Sequence, residues 1–185
     1  MEKDFAKSMA EILNLAPKKS RAGVITYSSL PKTVSQLRGH TPKEFERVLA
    51  RAELHGDLRS SRIDLAVERA AKELRIPGRN QNKVVVILTA RRQGRGTNSL
   101  RDSVQPLRDE GADVYVVTIG SDPNFEELLP LVIQPDDIFK VPSYQELLKK
   151  NGPISTEIAR RTGMYAIESG CCLWRPDFVY IYFID

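Results

Sequence analysis

The sequence predicts an α/β fold, a doubly wound and mostly parallel sheet with helices on both faces. Three observations carry that reading. Runs of β-branched residues alternate with amphipathic helical stretches, the pattern of successive strand–helix–strand crossovers. The central run VVVIL (Val84–Leu88) is apolar without alternation, as in a strand covered by helices on both sides. Proline and glycine punctuate the helical stretches at Pro17, Pro77-Gly78 and Gly111, where helices are expected to stop.

Taken in order, Asp4 to Leu15 places Phe5, Met9, Ile12 and Leu13 on one helical face, and Pro17 with Lys18-Lys19 ends it. AGVITYSS (Ala22–Ser29) is the first strand, closed by its serines and Pro31. In TPKEFERVLARA, Thr41 caps a helix with Pro42 at its first position and Glu44 at its third. Ser61 opens SRIDLAVERAAKEL and reads as its N-cap. Lys83–Thr89 is the central strand. NSLRDSVQPLRDEG is a helix carrying Pro106 and ended by Gly111, and ADVYVVTIG is the next strand. Gly120-Ser121-Asp122 is expected to cap the short helix NFEELLPLV, and DDIFKV follows as a short edge strand. The last helix, Tyr144–Arg161, is expected to break near Gly152-Pro153. Last comes DFVYIYFID (Asp177–Asp185), β-branched and aromatic almost throughout and too apolar to be left in solvent.

At 185 residues, 41% hydrophobic and 28% charged, the composition is that of an ordinary globular domain. No apolar run approaches the ~20 residues of a membrane span. The first residues, MEKDFAKSMAEILNL, are charged and amphipathic and lack the apolar centre of a signal peptide. The net charge of +4 comes from 28 basic and 24 acidic residues that are scattered, with no basic stripe interleaved with aromatics, so nucleic acid is not an expected partner. Cys171 and Cys172 are sequence neighbours and cannot easily bridge each other; reduced thiols and pairing with cysteines elsewhere both remain open. His40 and His55 have no cysteine or acid at ligand spacing and read as surface residues. Asp57 and Asp64 flank the start of the helix that Ser61 opens and read as helix-end acids. No nucleophile, base and orienting acid fall together at the strand ends, and no glycine-rich turn follows the first strand. Catalysis is not expected.

The order AGVITYSS … SSRIDLAVERAAKEL … KVVVILTA … GADVYVVTIG … DDIFKVPSYQEL resembles a von Willebrand factor type A domain. The resemblance implies a Rossmann-like sheet whose top carries a metal-ion-dependent adhesion site. It divides the chain into a domain at 1–163 that lacks its first strand, a cysteine-containing linker at 164–176, and 177–185. The last segment resembles the family's opening strand. It is expected either to begin a following domain or, as in a circular permutation, to fill the central slot of this one.

In the family an aspartate and two serines, a threonine, and an aspartate after the central strand hold a cation such as Mg²⁺. Here Ser61 matches the threonine position and Asp185 the first aspartate, while Ala90 stands where the third-loop aspartate belongs. One hydroxyl and one carboxylate are too few for a hard divalent cation, so no cofactor is expected and Mg²⁺ binding would be weak. Arg91, Arg92 and Arg95 crowd the same rim. They read either as a solvated loop between glycines or as guanidinium groups that take over the cation's place and hold a partner's carboxylate.

The linker ESGCCLWRPDF resembles the cysteine-bearing joints between tandem A domains. The resemblance therefore implies a secreted, non-enzymatic adhesion module of the extracellular matrix. Its partners would be matrix proteins such as collagen and neighbouring A domains. The alternatives are a Mg²⁺-dependent adhesion domain completed by residues outside this sequence, and an intracellular A domain of a chelatase or repair complex.

Overall fold

The computed structural model describes residues 2–12, 15, 17, 20–53, 61–75, 82–94, 98–162 and, for backbone, 178–184. In chain order the elements are α1 (Glu2–Ile12), β1 (Ser20–Tyr27), β2 (Pro31–Arg38), α2 (Pro42–Ala50), α3 (Ile63–Leu74), β3 (Asn82–Thr89), α4 (Leu100–Asp109), β4 (Ala112–Ile119), α5 (Phe125–Leu128), β5 (Ile138–Val141), α6 (Tyr144–Arg161) and β6 (Phe178–Ile184). Two 3₁₀ turns, Leu129–Leu131 and Pro135–Asp137, lie between α5 and β5.

Six strands form one sheet in the order β2-β1-β6-β3-β4-β5. The pairs β1–β6, β6–β3, β3–β4 and β4–β5 are parallel, and β2 runs antiparallel on the outer side of β1. The sheet is thus mostly parallel, as its sequence suggested. The unbroken apolar run of β3 divides by parity: Val84, Val86 and Leu88 enter the core beneath α1, α2 and α6. Val85 and Ile87 enter the opposite core, with α3, α4 and the α5 region. Both halves of that run are fully buried, which is why no polar alternation is visible in it.

β6 lies between β1 and β3, with Phe178 opposite Ser20 and Asn82 and Phe183 opposite Ile25 and Ile87. Its ascending direction matches its neighbours, so Ile184 lies at the same end of the sheet as Tyr27 and Thr89. The Tyr27 hydroxyl donates to the Leu88 carbonyl at 2.8 Å, joining the ends of β1 and β3 on either side of β6.

Several elements differ from expectation. β2 was not anticipated. Its residues KTVSQLR alternate only weakly and Pro31 reads as a terminator, but two irregularities in the β1–β2 register let it follow β1. Thr33 fastens it to α3, accepting from Arg69 at 2.8 Å and donating to Glu73 at 3.1 Å. α6 is continuous through Gly152 and Pro153. Packing against α1 overrides the local break: the Asn151 amide donates to the Asp4 carbonyl at 3.2 Å, and Ile154 and Ile158 are buried beside it. α5 is capped by Asn124, whose side chain accepts from the Glu126 N–H, and not by the Gly120-Ser121-Asp122 turn. α3 begins at Ile63, with Arg62 at the N-cap and no side-chain capping bond. His40 is buried, not a surface residue, with Nε2 donating to the Ala22 carbonyl at 3.2 Å. The Thr41–Glu44 capping box of α2 is formed as read.

Candidate functional site

The carboxyl ends of parallel strands, with the helix starts beside them, are where a doubly wound sheet places ligands. At this end stand the turns after β1, β3 and β4 and the entry to α3. They are tied together by backbone: the Arg62 N–H donates to the Ser28 carbonyl at 2.8 Å, and the Gly94 N–H to the Ser61 carbonyl at 2.8 Å. The Ile63 N–H, one of the helix's free donors, is taken by the Gln93 Oε1 at 2.9 Å. Ser61 is thereby held between the β1 and β3 turns. The cap it was expected to supply comes instead from a glutamine thirty positions along the chain.

The hydroxyl of Ser61 is free of that duty and buried. Its Oγ has no hydrogen-bond partner, and neither do two other buried atoms, Nη1 of Arg91 and Nε2 of Gln93. The turn carrying the last two is folded locally by Thr89, whose hydroxyl donates to the Arg91 carbonyl at 2.9 Å and accepts from the Arg91 N–H at 3.3 Å. Ala90, at the position expected for an acid, turns its methyl group toward the core beneath α1, α2 and α6.

Charges around this turn pair off, with one exception. The Asp64 carboxylate, wholly buried, receives both prongs of the Arg62 guanidinium at 2.9 and 2.8 Å and the Asn98 N–H at 3.1 Å. Burial pushes the Asp64 carboxyl up, but Arg62, the nearby Gln93 amide and the N–H groups of Asn98 and Leu65 outweigh it and hold it below its ordinary value. Arg92, exposed, meets Asp122 of the β4 turn through its backbone N–H at 3.1 Å and its Nε at 3.3 Å. Arg91 has no acidic partner among the described residues. Beside this rim a groove of about 260 Å³ runs along the ends of β4 and β5, where the Lys140 ammonium lies 3.5 Å from the centre of the Phe125 ring.

Of the residues singled out in the sequence, Ser61, Ala90, Arg91 and Arg92 thus share one rim; Asp185, Arg95, His55, Asp57, Cys171 and Cys172 lie outside the described residues. Gln93 was missed. Nothing in its own neighbourhood marks a glutamine as a helix cap for another element.

A match to the family model described as von Willebrand factor type A domain covers residues 1–151. The chain belongs to the von Willebrand factor type A domain family. Among curated A-domain proteins it is 33% identical over 137 residues to von Willebrand factor A domain-containing protein 2 of Xenopus laevis, covering 69% of this chain and 16% of that protein. It is 28% identical over 124 residues to Matrilin-1 of Gallus gallus, covering 64% of this chain and 24% of that one. The chain therefore spans a quarter or less of the length of these relatives. Among solved structures, proximal thread matrix protein 1 from the mussel byssus superposes with a TM-score of 0.71 at 19% identity, over 84% of this chain and 39% of that one. That byssus protein has also been solved with a zinc-occupied MIDAS motif.

The described residues of this rim do not fit such a cation. Among the described residues no three His, Cys, Asp or Glu side chains gather as a metal-holding group. What the described rim offers is a methyl group at Ala90, a hydroxyl at Ser61 and the donor-only guanidinium of Arg91, while its carboxylates, Asp64 and Asp122, are taken up by Arg62 and Arg92.

Proposed function

We propose that this A domain is a non-enzymatic protein-interaction module of the extracellular matrix that engages an acidic feature of a matrix protein, such as collagen, without a metal ion. The observation that carries this reading is the replacement of the expected acid by Ala90 in a turn whose next residue, Arg91, has no acidic partner among the described residues. Family membership and the matrix proteins among its relatives support the setting. Arg91, Arg92 and Arg95 are the contact residues of this reading. The Arg92–Asp122 pair makes Arg92 the weaker contributor of the two described. The parallel pairing of β6 with β1 and β3 supports taking 177–185 as the central strand of the unit formed by 1–163, joined through 164–176. In a longer chain the same segment would serve a neighbouring A domain.

Solid-phase binding to fibrillar collagen tests the proposal. Adhesion is expected to survive EDTA, to weaken as salt rises, and to fall on Arg91→Ala more than on Arg92→Ala. Adhesion abolished by EDTA and indifferent to both substitutions would overturn it in favour of a Mg²⁺-dependent site. A second measurement is thermal: a saturating ion at a hundred times its Kd would add about 2.7 kcal/mol, so millimolar Mg²⁺ is expected to leave the melting temperature unmoved.

A further inference from the structure

We propose that the groove between α4 and the 3₁₀ turn Leu129–Leu131 is a second docking site, on the helical face of the molecule. Its occupant is a segment of a partner protein in which one acidic side chain stands beside an aliphatic one. The groove has a volume of about 590 Å³ and is lined by Arg101, Gln105 and Arg108 of α4 and by Glu126, Leu129 and Pro130. The three α4 residues recur at i, i+4 and i+7, so they share one flank of the helix, and its two arginines stand about 10 Å apart along the axis. Leu100, Val104 and Leu107 of the same helix are buried in the core shared with Leu128 and Leu131, which fixes how that flank is presented.

Arg108 is built into this groove. Its Nη2 donates to the Pro130 carbonyl at 2.7 Å and to the Val132 carbonyl at 3.2 Å, so the side chain is held in place before a partner arrives. Both acceptors are neutral. A guanidinium has five N–H donors, and those on Nε and Nη1 meet no acceptor among the described residues. Arg101 is exposed and has no acidic partner among the described residues either. Arg62, Arg92, Arg160 and Arg161, in contrast, each pair with a carboxylate. Beside the fixed cation lies uncovered apolar surface. Ile133, the residue directly after the carbonyl that Arg108 grips, is 68% exposed, more than any other large hydrophobic side chain among the described residues. Arginine next to large apolar side chains is the composition that distinguishes the centre of a protein interface.

Charge sets the occupant. Two arginines and Glu126 leave the lining with one net positive charge, which a single carboxylate balances. A densely sulfated polysaccharide would set further anions against Glu126 and against Asp102 and Asp109, which are exposed on the same helix. It would also bring no aliphatic side chain to Ile133.

The test uses the whole chain, ¹⁵N-labelled, titrated with acetyl-Gly-Glu-Leu-Leu-Gly-amide. Two counterparts are titrated beside it, one with glutamine for the glutamate and one with alanines for the leucines. Saturable shifts are expected at the Gln105 side-chain amide and at the Leu129 and Ile133 backbone N–H groups. Each counterpart is expected to bind about fivefold more weakly, the loss of an exposed ion pair or of an apolar contact. Arg101→Glu should weaken the first peptide about tenfold and Ile133→Ser about fivefold. Both side chains are exposed, so neither variant is expected to shift the melting temperature. No saturable shift at these groups, equal affinity for the glutamine counterpart, or indifference to Arg101→Glu would overturn the site. Equal affinity for the alanine counterpart, or tighter binding of a heparin-derived tetrasaccharide, would show a site for anions alone and overturn it as well. The site is independent of the rim at Arg91, and either can fail without the other.

Discussion

A buried hydroxyl with nothing to bond is a cost that the fold carries, and Ser61 is such a residue. Ser61→Ala is therefore expected to leave the protein as stable as before or more stable by about 1 kcal/mol, read from urea denaturation. A loss of stability on that substitution would mean that the hydroxyl is bonded in solution. His40 gives the second prediction at this scale. Burial first, and then the neighbouring Arg38, push its pKa below 6.5, against the smaller opposing effects of the Ala22 carbonyl and Glu44. The unfolded chain then takes up a proton before the native one does, so stability is expected to fall as pH drops below 6.5 and to level off beneath the depressed native pKa. His40→Asn should flatten that slope. These residues also mark where sequence reading stops. The Thr41–Glu44 box was legible because both partners lie within one turn of helix. His40 was not, because the strand that buries it went unrecognised, and the cap of α3 was not, because it arrives from Gln93 in another loop.

Elements were legible where their pattern is their own. β3, β4 and the helices α2 and α4 lie within two or three residues of where periodicity and capping placed them. α6 shows the opposite case: Gly152-Pro153 is a local stop signal, yet α1 packs along the helix and the helix continues through both residues. Gly152 has no atom within 4 Å of where a side-chain carbon would stand. Gly152→Ala is accordingly expected to stabilise the protein by about 0.5–1 kcal/mol through the entropy of the unfolded chain. A lower urea midpoint for that variant would show that the helix needs the glycine. Gly39 is the contrasting position, since a Cβ there would fall 2.2 Å from the Pro17 carbonyl oxygen; Gly39→Ala should lower the midpoint.

For the molecule as a whole, the alternation of strands and helices disclosed the layered architecture, but the antiparallel β2 edge had no signal beyond a short polar alternation. β6 dominates the energetics at this scale because it pairs on both sides with strands that are themselves buried. Without it the facing edges of β1 and β3 would each present unpaired backbone groups, at about 1–3 kcal/mol for every group left buried. A chain ending at Gly170 is expected to lose its cooperative thermal transition, and the peptide DFVYIYFID added in trans to restore part of it. A truncated chain that melts cooperatively at the full-length temperature would show that the slot tolerates vacancy.

The position of β6 has a further consequence during synthesis. It follows the other described elements in this sequence, yet it stands in the middle of the sheet. While the ribosome still holds that segment, β1–β2 and β3–β4–β5 can exist only as two half-sheets with open parallel edges, the kind of surface that recruits other chains. The core can therefore close only once that segment has emerged. Slower elongation would lengthen exposure without allowing earlier folding, which makes the nascent chain a natural client for chaperones that shield unpaired strands.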